Sequence, residues 1–123
     1  MTYRFAPFLV LAGALVCAGA GTARAHAFLD RASPAVGSTV HTAPTEVRLQ
    51  YTEELEPAYS TAHVEDAAGA TVSTAEARVD EREKSVLIVP LGPLKPGRYK
   101  VVWKVLSVDT HVTNGEFRFT VAP

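Results

Sequence analysis

The chain has 123 residues, a formal net charge of −1 and a sequence pI near 6.4; 47% of it is hydrophobic and 20% charged. That composition suits one globular domain with a single apolar core. It carries no basic patch, so no nucleic-acid partner is expected.

The first 25 residues differ from the rest. Met1-Thr-Tyr-Arg4 is a short basic start, Phe5 to Gly21 is apolar and uncharged, and Ala23-Arg-Ala25 fits the A-x-A cleavage pattern. The apolar run is short for a membrane span. The pattern predicts a secretory signal peptide over residues 1–25 and a mature domain over 26–123, the alternative being an uncleaved anchor. Cys17 lies in the signal, with Ala14 and Val16 where a lipobox needs a large and then a small residue, so lipidation is not expected. Loss of Arg4 and Arg24 with the signal takes the formal charge to −3. The mature chain then enters an oxidising compartment without a cysteine and relies on its core alone.

In chain order, Phe28 and Leu29 tack an N-terminal strand to the core, and Ser33-Pro-Ala-Val-Gly37 marks a turn. Glu46 to Glu53 alternates, with Val47, Leu49 and Tyr51 on one face. Tyr59 to Glu65 is a shorter strand ending in the turn Asp66-Ala-Ala-Gly69. Val72 to Val79 is a weaker strand candidate. Asp80 to Lys84 is a charged loop, Val86 to Val89 a fully apolar strand, and Leu94-Lys-Pro-Gly97 a turn. Gly97 to Val108 reads as the longest strand, with Tyr99, Val101, Trp103 and Val105 facing inward. Asn114-Gly115 is a turn signal before a last strand whose Phe117, Phe119 and Val121 face the core. No helical periodicity follows residue 25. Six to eight short strands with turns between them predict an all-β sandwich of about seven strands.

Chemistry concentrates at the two ends of the mature chain. Cleavage after Ala25 makes His26 the first residue, so its α-amine and imidazole Nδ1 can chelate one metal together. An α-amine pKa near ~8 lets a metal displace its proton around neutral pH. Asp109 and His111 stand two residues apart; on an extended chain both leave one face, about 6–7 Å apart. Two imidazoles, an amine and a carboxylate favour Cu(II). The mature chain has neither Cys nor Met, so a soft Cu(I) site is disfavoured. Ser107 either supports this pair or only fills the strand end. His41 and His63 are read as a solvated loop residue and a polar strand-face residue.

His26-Ala-Phe-Leu29, Ser33-Pro-Ala-x-Gly37, Tyr51-Thr-Glu-x-Leu-Glu56, Leu94-x-Pro-Gly-x-Tyr99 and Val102-Trp-x-Val-x-Ser-x-Asp-x-His111-x-x-x-Gly115-x-Phe-x-Phe119 resemble the CopC family of periplasmic copper-binding, copper-resistance proteins. The resemblance covers essentially all of the mature chain. It implies a cupredoxin-like or immunoglobulin-like Greek-key β-sandwich or barrel. It also implies Cu(II) held by His26, Asp109 and His111, and an outer-shell role for Glu53. A carboxylate there can orient a metal-bound amine or water. Family members with a methionine-rich loop bind Cu(I), a feature this sequence lacks.

The expected function is a non-enzymatic, periplasmic or secreted Cu(II) protein. It would bind one ion per chain, act as a monomer, and sequester copper or pass it to a CopD-like membrane copper transporter. The competing reading is a histidine-brace copper redox enzyme, but catalytic metal sites keep an open position that an in-plane Asp109 would fill. A third is an immunoglobulin-like interaction module in which these residues are incidental.

Overall fold

A computed structural model describes residues 28–123. The expected signal peptide and His26 lie outside the described residues. Eight strands run in order: β1 (Leu29–Ser33), β2 (Thr39–Val40), β3 (Glu46–Tyr51), β4 (Thr61–Glu65), β5 (Arg78–Val79), β6 (Val86–Pro90), β7 (Gly97–Leu106) and β8 (Val112–Val121). A 3₁₀ turn, Pro57–Tyr59, precedes β4. The strands form two four-stranded sheets, β1-β3-β6-β5 and β2-β8-β7-β4, antiparallel except where β2 runs parallel to β8. This is the expected all-β sandwich.

Alternation builds the core. Val47, Leu49 and Tyr51 of β3 and Leu87 and Val89 of β6 face Val64 of β4, Tyr99 to Val105 of β7 and Phe117 to Val121 of β8. Burial of alternate apolar side chains from two sheets is what holds a sandwich together without cross-links. β6 is central in its sheet, and it buries Val86 to Val89 without interruption. Its outward Ile88 lies in register between Arg48 and Arg78, whose long stems flank it.

The outer edges are short or covered. β2 and β5 have two residues each. β1 is broken by a bulge at Asp30, where the register shifts between Leu29 and Arg31. The free edge of β4 is covered by residues 71–73: Val72 N–H donates to Val64 O at 2.8 Å, and Ser73 Oγ accepts from Val64 N–H at 3.3 Å. Of the expected strand Val72–Val79, only Arg78–Val79 pairs as a strand, because the segment before it spends its hydrogen bonds on these isolated contacts.

Two other expectations are corrected. Asn114-Gly115 is not a turn; both residues lie within β8, opposite Lys104 and Trp103. Glycine is required there for close approach, since a Cβ on Gly115 would sit 2.6 Å from Trp103 Cζ2. The strand read as longest, β7, ends at Leu106 rather than Val108, because the chain turns at Ser107, and β8 matches its ten residues.

Candidate metal centre

The centre is built where β7 hands over to β8. Leu106 pairs with Val112, and residues 107–111 close the connection. Ser107 N–H donates to His111 O at 3.0 Å, Thr110 N–H to Ser107 O at 2.9 Å, and Thr110 adopts φ +70°. Asp109 and His111 are therefore brought together by a turn, not by the same-face alternation of an extended strand. The carboxylate Oδ2 stands 3.3 Å from His111 Nδ1, and both side chains keep a third or more of their surface open, at 33% and 40%.

Ser107 is fully buried below them. Its hydroxyl donates to Asp109 Oδ1 and lies 3.4 Å from His111 N and 3.3 Å from His111 O. The Ser107 hydrogen bond is the main reason the Asp109 carboxyl is held below the usual carboxylate range. Partial desolvation opposes that shift, and the hydrogen bond and charge of His111 reinforce it. Asp109 is thus an ionised oxygen donor next to an imidazole, a pair suited to a divalent cation.

One stretch, Thr52–Glu56, ties this turn to the N-terminal strand. On one side Phe28 N–H donates to Thr52 Oγ1 at 3.0 Å, and Thr52 N–H to Phe28 O at 2.9 Å. On the other, Val108 N–H donates to Glu54 O at 3.0 Å and Glu56 N–H to Leu106 O at 2.8 Å, with Leu55 bridged to Ser107. Glu53, half-buried, lies between the two anchors. His26 precedes Phe28 by two residues, a span of at most about 7 Å of extended chain.

Among the described residues no three His, Cys, Asp or Glu side chains cluster as a metal site. Asp109 and His111 are a two-donor arrangement. His41 is exposed in a loop as expected. His63 lies on the outward face of β4, its Nε2 3.9 Å from Glu65, whose carboxylate is also 3.3 Å from Lys100. Sequence reasoning overlooked Ser60, the other buried serine, which accepts from Leu106 N–H at 3.3 Å and fixes the end of β7. Its only advance signal was a small polar residue at the head of an alternating strand.

A CopC domain model matches residues 29–122. Copper resistance protein C of Escherichia coli is 33% identical over 119 residues, covering 91% of this chain and 94% of that protein. Protein YobA of E. coli K12 is 39% identical over 98 residues, 79% of each chain. Copper transport protein CutJ of Bacillus subtilis is 26% identical, and the match takes 81% of this chain but 19% of CutJ. Among solved structures, CopC from Methylosinus trichosporium OB3b superposes with a TM-score of 0.74 at 35% identity, covering 80% of this chain and 95% of its own. PcoC, a methionine-rich copper resistance protein from E. coli, gives 0.68 at 28% identity, over 79% and 99% of the two chains.

Proposed function

Because the chain belongs to the CopC family, we propose that it is an exported, periplasmic copper carrier that binds one Cu(II) per chain without catalysing a reaction. The carrying observation is the fixed Asp109–His111 pair, tied through Thr52–Glu56 to the strand that begins two residues after His26. Cleavage between Ala25 and His26 frees an amine beside an imidazole. These two nitrogens, the His111 ring and the Asp109 carboxylate make a nitrogen-and-oxygen set of the kind Cu(II) prefers. Glu53 supports the bound amine or its water from the outer shell.

The oxidation state follows from the donors. PcoC is methionine-rich, whereas the sole methionine of this chain is Met1, which the signal would remove. No soft sulfur remains for Cu(I). Asp109 as a further protein donor would occupy a position that a histidine-brace redox enzyme keeps open, which favours a carrier. Sequestration and delivery to a CopD-like membrane transporter share this chemistry. Delivery is favoured by CutJ, a copper transport protein in which the matching region is a fifth or less of the whole.

The test is competitive Cu(II) titration of protein beginning at His26, with electron paramagnetic resonance to report the donors. Asp109→Ala, His111→Ala, and one extra residue ahead of His26 should each weaken binding more than about tenfold, or 1.4 kcal/mol. Affinity should also fall with falling pH, as protons compete for the imidazoles and the amine. An unchanged affinity removes the altered group from the ligand set. Binding no tighter than that of a free terminal-His peptide overturns the copper role.

A further inference from the structure

We infer that Ser107 is a positioning residue for copper: its buried hydroxyl fixes the Asp109 carboxylate, and through it the His111 ring, in the orientation that receives the ion. The inference rests on Asp109 and His111 being ligands and adds the residue that sets their geometry. A partly exposed aspartate on a turn is otherwise free to rotate its carboxylate. Here Oδ1 is taken by the Ser107 O–H, which turns Oδ2 toward His111 Nδ1 at 3.3 Å. His111 Nδ1 and Asp109 Oδ2 then face one another closely enough for both donors to reach a single ion.

Ser107 itself has no room to move. It is fully buried, bridged to Leu55, and bonded through its N–H to His111 O at 3.0 Å. The residue before it is clamped by Ser60 Oγ at 3.3 Å and by Glu56 N–H at 2.8 Å. A rigid donor thus stands directly beneath two part-exposed ligand candidates, and among the described residues its hydroxyl's side-chain partner is the Asp109 carboxylate, beside contacts to the His111 backbone. A residue that merely filled the strand end would need no hydroxyl aimed at that carboxylate.

The experiment is a double-mutant cycle on Cu(II) affinity in protein starting at His26, with circular dichroism to verify the fold. Ser107→Ala should weaken Cu(II) about 10- to 100-fold, the usual effect of removing such a supporting partner. It should also split the paramagnetic resonance spectrum into more than one copper species. In an Asp109→Ala background the same change should have almost no effect. Ser107→Thr, which keeps the hydroxyl, should restore the affinity and the single spectrum. Equal losses for the Ala and Thr variants, or a full Ser107→Ala loss without Asp109, assign the effect to packing and overturn the proposal. If Asp109→Ala and His111→Ala weaken copper while Ser107→Ala does not, the ligand reading stands and this inference falls. If none of the three matters, the ligand reading falls first.

Discussion

Thr110 holds a left-handed backbone, φ +70°, between the two ligand candidates. A β-branched residue there costs about 1–2 kcal/mol, and glycine takes the same conformation freely. Part of that cost is offset by its hydroxyl, which donates to Asp109 O at 2.6 Å. Thr110→Gly should therefore raise stability, by about 0.5–1 kcal/mol after the extra chain entropy of glycine is counted. A denaturation midpoint that fails to rise would show that the hydroxyl bond outweighs the backbone strain. Gly115 is the opposite case. The Trp103 ring lies against it, and Trp103 in turn meets Tyr51 edge-on at 5.3 Å. Gly115→Ala should cost about 1–3 kcal/mol by overpacking and shift the tryptophan fluorescence. The Tyr51 phenol, buried in this cluster with no hydrogen-bond partner among the described residues, has its pKa raised by that burial.

At the scale of the elements, the charged loop after β5 is pinned at Asp80. Its Oδ1 accepts Arg82 N–H at 2.9 Å and its Oδ2 accepts from Arg48 of β3 at 3.1 Å. The Arg82 N–H, with Arg48 next in effect, holds the carboxyl below its ordinary 3.8. A carboxylate depressed in the folded state adds stability above its unfolded pKa, and that stability is lost as pH falls through the folded value. Wild type should thus exceed Asp80→Asn at neutral pH, with the difference closing below about pH 3.8 in acid-titrated denaturation curves. A constant difference across that range would remove the ionised Asp80 as its source.

The elements were legible where one local signal governed them. Val47, Leu49 and Tyr51, and Tyr99 to Val105, announced their inward face by alternation alone, and the faces are as read. Asn114-Gly115 misled because its turn chemistry is local, whereas its glycine answers to Trp103 on the neighbouring strand. Asp109 and His111 were identifiable as a pair, but not the turn that joins them. That turn depends on Ser107 bonding forward to Asp109, Thr110 and His111, which residue spacing does not encode.

For the whole molecule, stability rests on one core shared by two sheets, with no cysteine among the described residues to add a cross-link. Copper held between the N-terminal segment and the β7–β8 turn would fasten the first strand's sheet to the second sheet. Ligand at a hundredfold above Kd adds about 2.7 kcal/mol when only the folded state binds. Cu(II) should accordingly raise the melting temperature of protein starting at His26, and a chelator should reverse the rise. No rise at saturating copper would mean that the unfolded chain binds as well as the folded one.

The two-residue β5, the bulged β1 and the segment laid along β4 shorten or cover three margins of the sheets, while the two-residue β2 covers only the Thr120–Val121 end of β8. On those margins a second copy has few backbone groups on which to continue the pairing, so edge-to-edge stacking is confined to the part of β8 ahead of Arg118.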